Sequence, residues 1–343
     1  MEIVPPCTCS SSNMKDRTSA IKKTDSTITF ANRMDHFLAR LGYNRQGHRV
    51  EAGLYQLGEP DQNSPVFASA NYTLSFDALR SHLKGVNAYI LVLDTKGINV
   101  WCAAGKGTFG TDELVHRIEE SGLASIVSHR TIIVPQLGAP GISAHEVARR
   151  SGFFVQYGPV RAADLPRYQE NGIATPEMRR VTFPLRDRIV LIPIELVHII
   201  TPTIIIAAIL WVLAGPVASS AAVVATLTGT ILFPILLPFI PTQDFSMKGL
   251  ILGTIVAIPF SVLFGADQNL PQWVAIIRML IPLLIIPPVV AYLALNFTGS
   301  TPFTSRTGVR KEIFRYIPVL TLMTAIGIVL GILLGISRLT GVI

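Results

Sequence analysis

The stretch NVWCAAGK, residues 99–106, sets one of only three cysteines in the chain where a thiol could act as a ligand. Asn99 is a favourable helix N-cap, so the spacing predicts a short helix from Val100 through Lys106 with Cys102 in its first turn. First-turn amides and the helix dipole favour a thiolate there, and a thiolate is a soft, strongly donating metal ligand. The run Ala103, Ala104, Gly105 leaves little side-chain bulk beside the sulfur, as a broad flat group approaching the backbone would need. Gly105 costs the helix about 1 kcal/mol against alanine, which hints that bare backbone matters more there than propensity. The same residues also describe a plain alternative, because a cysteine outside a disulfide often behaves as a small buried hydrophobe. Spacing alone does not identify a macrocycle.

Neighbouring patterns that suggest other chemistry fail on context. Gly105, Gly107 and Gly110 spell G-x-G-x-x-G, yet about ten residues separate them from the preceding strand, whereas the dinucleotide fingerprint opens a helix directly after one. AAGKGT looks like the end of a phosphate loop, but the first glycine that loop requires would fall at Val100. Cys7 and Cys9 could chelate a soft metal only if something held them, and they stand in a Ser-, Thr- and Lys-rich N-terminal stretch that reads as a mobile tail over 1–30. No apolar core of signal-peptide length precedes it, so the following domain is expected in the cytoplasm.

These residues sit in a chain of two regimes. Of 343 residues 50% are hydrophobic and only 15% charged, and the apolar residues concentrate after about Arg188, which argues for a membrane protein. Between 31 and 171, β-type runs at 65–72, 88–95, 131–138 and 153–160 alternate with helical stretches. That alternation predicts the α/β class, a Rossmann-like parallel sheet covered on both faces. Ligands of such sheets collect at the carboxyl ends of strands. The candidate loops are therefore 95–109, 136–143 and 157–164, and Gly138, Gly141 and Gly158 are candidate backbone contacts or simply turn glycines.

Beyond a basic linker at 172–188, the segment 189–343 reads as an all-α bundle of about five transmembrane helices, near 189–214, 217–240, 249–265, 273–295 and 316–336. Arg179, Arg180, Arg186 and Arg188 precede the first span, and Arg306, Arg310, Lys311 and Arg315 precede the fifth. The loops AGPVAS and GADQNLPQ carry no Lys or Arg, so the soluble domain is expected inside, at the inner membrane. Glu195, His198 and Arg278 fall within spans, where ionisable groups face the bundle interior or water. No inverted repeat of broken helices is evident, which weakens a transporter reading. The net charge of +7 clusters beside the spans, where it meets the lipid bilayer, and no aromatic-basic surface for nucleic acid is evident.

NVWCAAGK, with YILVLDTKGI before it and GTFGTDELV after it, resembles the signature of the HgcA family, the membrane corrinoid proteins of microbial mercury methylation. Together with VPQLGAPGISAHEV and QYGPVRAADLP, it is also similar to the corrinoid domain of the corrinoid iron–sulfur protein of acetyl-CoA synthesis. The resemblance spans roughly 65–170 and implies a corrinoid-dependent methyltransferase with a cobalamin-type cofactor, Cys102 being the lower axial ligand of cobalt. It implies roles for Asn99 as cap, for Val100 and Trp101 wedging the helix against the domain, for Ala103, Ala104 and Gly105 admitting the corrin, and for Lys106 beside a corrin amide. A donating thiolate suits transfer of a carbanion-like methyl group to mercuric ion. The implied partners are a ferredoxin-like protein with two iron–sulfur clusters (HgcB), which supplies low-potential electrons, and a methyl donor, either a protein or a methylated folate. A methyl carrier with another acceptor, or a transporter or sensor with a corrinoid-type domain, remain as alternatives.

Overall fold

A computed structural model describes residues 21–44, 47–267, 270–301 and 304–340. Cys7 and Cys9 lie outside the described residues. The chain forms two compact units, divided between Val181 and Thr182.

The first unit is built on a six-stranded sheet. Its strands are β1 (Lys22–Thr24), β2 (Gly53–Leu57), β3 (Val66–Ala70), β4 (Ala88–Leu93), β5 (Thr131–Val134) and β6 (Phe154–Tyr157), in the order β1-β2-β4-β3-β5-β6. All neighbours run parallel except β2 and β4. The helices are α1 (Phe30–Leu41), α2 (Thr73–His82), α3 (Val100–Lys106), α4 (Thr111–Glu120), α5 (Leu123–Ile126), α6 (Ala144–Ser151) and α7 (Leu165–Asn171).

Every residue of β3 and β4 is buried, as strands covered on both faces must be. Alternate side chains feed two cores. Val66, Ala68, Leu91 and Leu93 pack with Leu114, Ile118 and Val147, while Phe67, Ile90 and Val92 pack with Phe76, Leu165 and Tyr168. The four strands expected from sequence are present as β3 to β6. The β-type run at 131–138 ends early, at Val134, because Pro135 and Pro140 favour the tight helical segment Gln136–Gly141 that follows.

Two features depart from the sequence reading. Strand β2, antiparallel to β4, lies outside the four expected runs. Residues 21–30, placed in the mobile tail by composition, instead supply β1 and the start of α1. Their anchor is Arg80, whose Nη1 donates to the carbonyls of Asp25 (2.7 Å) and Thr27 (2.8 Å) while its Nε donates to Asp77 (2.6 Å). Such long-range anchoring is invisible to a window of local composition.

The second unit is helical: α8 (Leu185–Ile189), α9 (Ile192–Ala214), α10 (Pro216–Leu227), α11 (Phe233–Leu236), α12 (Phe245–Gly265), α13 (Gln272–Phe297) and α14 (Arg306–Leu339). Among the described residues five helical stretches are long and apolar enough to cross a membrane: Leu185–Ala214, Pro216–Leu236, Phe245–Gly265, Gln272–Phe297 and Thr307–Leu339. Between α10 and α11 the turn widens over Thr228–Leu232, absorbing the amide hydrogen that Pro234 lacks.

The third stretch begins four residues before the sequence boundary because Lys248 is accommodated inside. It is buried, and its ammonium donates to the carbonyls of Leu237 and Ile240 beyond the end of α11. Arg188, likewise buried, donates to the Pro234 and Ile235 carbonyls at 2.7 Å each. It therefore acts as a helix C-terminal cap as well as a charge at the span boundary. Gly249 and Gly253, four apart, let α12 approach α13 so closely that a Cβ on either would lie about 2.5 Å from the Cα of Ala291 or 2.6 Å from that of Pro287. His198 Nδ1 bonds the Ile194 carbonyl of its own preceding turn at 2.6 Å.

One ion pair gives the first unit a pH signature. His48 Nδ1 lies 2.6 Å from Asp35 and its Nε2 lies 2.6 Å from the Tyr43 carbonyl; both partners only accept, so the ring is held as the doubly protonated imidazolium. Burial opposes that charge, but the Asp35 and Tyr43 bonds outweigh it and raise the His48 pKa above 6.5. Burial likewise opposes ionisation of Asp35, and the bonds from Thr73 and His48 outweigh it and hold its pKa below 3.8. The raised histidine stabilises the fold fully below 6.5 and loses that contribution as pH climbs through its folded value. The depressed carboxylate contributes above 3.8 and fails as pH falls through its own. Melting temperatures of the full chain in detergent should therefore decline as pH rises beyond 6.5, and His48→Gln should flatten that decline.

Candidate functional site

The three candidate loops meet at one edge of the sheet. Gly141 packs on the backbone of Ala104, Gln136 N–H donates to the Pro159 carbonyl (3.4 Å), and Tyr157 Oη–H donates to the Ile142 carbonyl (2.7 Å). This is the carboxyl edge of the parallel strands, where the loops carry no strand pairing and can serve a ligand.

Helix α3 forms as its residues dictate. Asn99 is extended and its Oδ1 accepts from the Cys102 amide at 2.9 Å, so the cap bonds the very residue whose thiol matters. Gly107, at φ 83°, ends the helix and donates to Ala103 and Ala104. The glycines at 107 and 110 are thus accounted for by the end of α3 and by a close approach, since a Cβ on Gly110 would lie 2.6 Å from the Gly107 carbonyl.

The faces of α3 revise two expectations. Val100, Ala103 and Ala104 are buried in the core, while Trp101, Cys102 and Gly105 are half-buried and Lys106 is exposed. Ala103 and Ala104 therefore do not flank the sulfur on the open side. Their smallness lets α3 settle against the 136–141 segment, where a Cβ on Gly141 would come within 3.0 Å of the Ala104 Cα and 2.2 Å of the Phe109 carbonyl. Val100 is buried in the core, whereas Trp101 is half-buried. Gly105, one turn after Cys102, is the small residue that shares its face. Cys102 itself is not a core hydrophobe.

The later glycines each have an internal neighbour. Gly138 is buried against Phe109, whose ring would lie 2.4 Å from an added Cβ. Gly158 N–H donates to the Val134 carbonyl at 2.8 Å and extends the β5–β6 pairing. These neighbours explain the absence of side chains without a ligand.

What sequence reasoning missed is Asn71, directly after β3. Its buried Oδ1 accepts from Thr95 N–H (3.0 Å), Thr95 Oγ1–H (2.8 Å) and Gly97 N–H (2.9 Å), and its Nδ2 donates to Asp94 (2.9 Å). That one amide closes the loop between β4 and α3 while Lys96 (φ 59°) and Gly97 (φ 71°) hold left-handed conformations. A lysine there is strained, and such strain persists where surrounding bonds over-determine the backbone. Glu113 of α4 adds a bond from the Asp94 amide at 2.7 Å and is itself held by Arg117 Nε at 2.6 Å. The signal available was an asparagine at a strand's carboxyl end, opposite a Asp-Thr-Lys-Gly turn.

The donor chemistry limits what metal Cys102 could hold. Among the described residues no group of three or more His, Cys, Asp or Glu side chains comes together. A metal at Cys102 would have to bring most of its donors with it, as a macrocycle does, and take one axial ligand from the chain. The half-buried thiol, with Gly105 on its face, fits that demand.

A mostly parallel sheet whose carboxyl-end loops carry a helix-borne thiol makes the first unit an α/β domain. Residues 42–156 match the family described as CO dehydrogenase/acetyl-CoA synthase delta subunit. Curated relatives include the acetyl-CoA decarbonylase/synthase complex subunit gamma of Methanopyrus kandleri, 31% identical over 128 residues, 37% of this chain and 27% of that one. The subunit gamma of Methanocaldococcus jannaschii is 39% identical over 97 residues, covering 28% of this chain and 20% of its own, and subunit gamma 2 of Methanosarcina thermophila is 34% identical over 125 residues, covering 35% and 26%. The chain thus spans about a quarter of the length of these relatives. The family match falls within the first unit, over the region that carries the resemblance of the motif.

Replacing Asn71 by leucine leaves the buried amides of Thr95 and Gly97 without an acceptor and should cost about 3 kcal/mol. Urea unfolding of the full chain should show that loss, and amide exchange should quicken first at residues 94–102.

Proposed function

We propose that this chain is a membrane-anchored corrinoid-dependent methyltransferase, in which Cys102 would hold the cobalt of a bound corrinoid and mercuric ion is the methyl acceptor. The observation that supports it most is the half-buried Cys102 on a capped helix at the carboxyl edge of a sheet, in a domain similar to corrinoid methyl-transfer proteins. A bound corrinoid supplies the cobalt centre that carries the methyl group, and the rest falls to the protein.

Cys102 donates its sulfur from the helix's open face, and the Asn99 bond to the Cys102 amide fixes where that sulfur stands. Gly105 keeps the next turn clear. Trp101 covers the rim, and Lys106 is exposed where it can meet a polar edge group of the corrin. Ala103 and Ala104 act from behind, by letting α3 seat on the core. Gly138, Gly141 and Gly158 bring the later loops close enough to flank the same edge, where their backbone can meet the cofactor's tail.

The arginines before the first and fifth spans support a cytoplasmic first unit at the inner membrane, because positive charge beside spans is retained inside. There a ferredoxin-like protein with two iron–sulfur clusters supplies low-potential electrons, and a methyl donor protein or methylated folate restores the methyl group. A second reading draws on the relatives, which are subunits of acetyl-CoA decarbonylase/synthase complexes. On that reading the chain is a methyl carrier of one-carbon metabolism with another acceptor.

Full-length protein loaded with corrinoid tests both readings. Cys102→Ala should change the visible absorption spectrum and abolish methyl transfer, and Asn99→Ala should weaken corrinoid binding about tenfold. An unchanged Cys102→Ala spectrum removes the thiolate assignment. Methylmercury formed from the methylated protein supports the first reading; a methylated protein that is inert to mercuric ion and active on another acceptor supports the second.

A further inference from the structure

Helix α1 carries its polarity reversed. Three of its polar side chains point into the first unit: Asn32 accepts from Arg80 Nη2 (3.2 Å), Asp35 binds His48 (2.6 Å) and Thr73 (2.7 Å), and His36 Nε2 meets Asp77 (2.7 Å). Asp77 and Arg80 are themselves buried. While Ala39 is buried and Leu38 and Leu41 are half-buried, three large apolar side chains point outward, with Phe30 77%, Met34 44% and Phe37 56% exposed. The i, i+4, i+7 spacing lines these three into one stripe, and Tyr43, 66% exposed, follows just past the helix end.

This orientation is not a choice the helix can undo. Turning the stripe inward would break the His36–Asp77, Asn32–Arg80 and Asp35–His48 bonds while leaving Asp77, Arg80 and His48 buried, which costs more than solvating three apolar side chains. A stripe held outward by ion pairs calls for a cover.

The chemistry of the rim favours lipid. The exposed positions 30, 31, 33, 34, 37 and 40 include Arg33 and Arg40 and no acid. Phenylalanines and tyrosine beside arginines are what an interfacial helix presents to acyl chains and anionic headgroups. Only residues 182–184 separate the first unit from the first apolar helical stretch, a tether of at most about 14 Å when fully extended. The first unit is therefore never far from a bilayer that those helices enter.

We propose that α1 lies in the headgroup region of an anionic membrane leaflet, with Phe30, Met34 and Phe37 in the acyl boundary and Arg33 and Arg40 on lipid phosphates. This surface is independent of the cofactor reading and holds whether or not Cys102 binds cobalt.

The test uses the full chain in nanodiscs containing anionic phospholipid, with the photoreactive residue p-benzoylphenylalanine in place of Phe37, of Phe30, or of the exposed Lys84 as control. Illumination should attach phospholipid at 30 and 37 and not at 84. Combining the probe at 37 with Arg33→Gln and Arg40→Gln should cut the lipid adduct about tenfold, as should zwitterionic nanodiscs. Attachment to a second copy or to another protein segment, or no lipid adduct above that of the Lys84 control, overturns the proposal. Unchanged melting temperatures of the probe variants confirm that the fold is intact in either case.

Discussion

The position of the Cys102 sulfur depends on a buried amide that lies on another strand. Asn71 gathers Thr95 and Gly97 onto one oxygen, which forces the chain leaving β4 through two left-handed residues and delivers Asn99 where it can cap α3. Without that closure the helix start would be free to slide, and a ligand displaced by an ångström is a poor ligand. The design places rigidity behind the thiol and leaves the side facing outward sparse. Ala103, Ala104 and Gly141 contribute to the same end by bringing the helix and the 136–141 segment into backbone contact.

Much of this arrangement is legible in the chain, because it is written in local signals. Asn99 as cap, Val100–Lys106 as helix, and β3 to β6 as strands follow from capping chemistry and from apolar runs bounded by turn residues. The division into a charged first half and an apolar second half is likewise a matter of composition. Tertiary bonds are what local reading cannot supply. Nothing in the composition of 21–30 announces that Arg80, more than fifty residues away, will hold that segment in the sheet. A lysine at 248 looks like the outside of a span until the carbonyls of Leu237 and Ile240 are seen to surround it. The small run after Cys102 was legible as small, but whether smallness serves a ligand or a neighbouring segment is a question of which side of the helix is buried.

The two units share one strategy at different scales, which is to place a charged or polar group where only a fixed partner can satisfy it. In the first unit, Asp35 with His48 and His36 with Asp77 lock α1 so that its apolar stripe faces outward. In the second, Arg188 and Lys248 cap the carbonyls of Pro234 to Ile240, where the helical chain ends inside apolar surroundings. Buried ions of this kind add modest net stability, but removing either partner is costly, so they specify arrangement more than they strengthen it.

The bond on which the functional account rests is the one between the Cys102 sulfur and cobalt. X-ray absorption at the cobalt edge of the corrinoid-loaded full-length protein measures it directly. The account predicts a sulfur bonded to cobalt in the native protein and its absence in Cys102→Ala. A shell of nitrogen and oxygen alone, unchanged between the two, would contradict it.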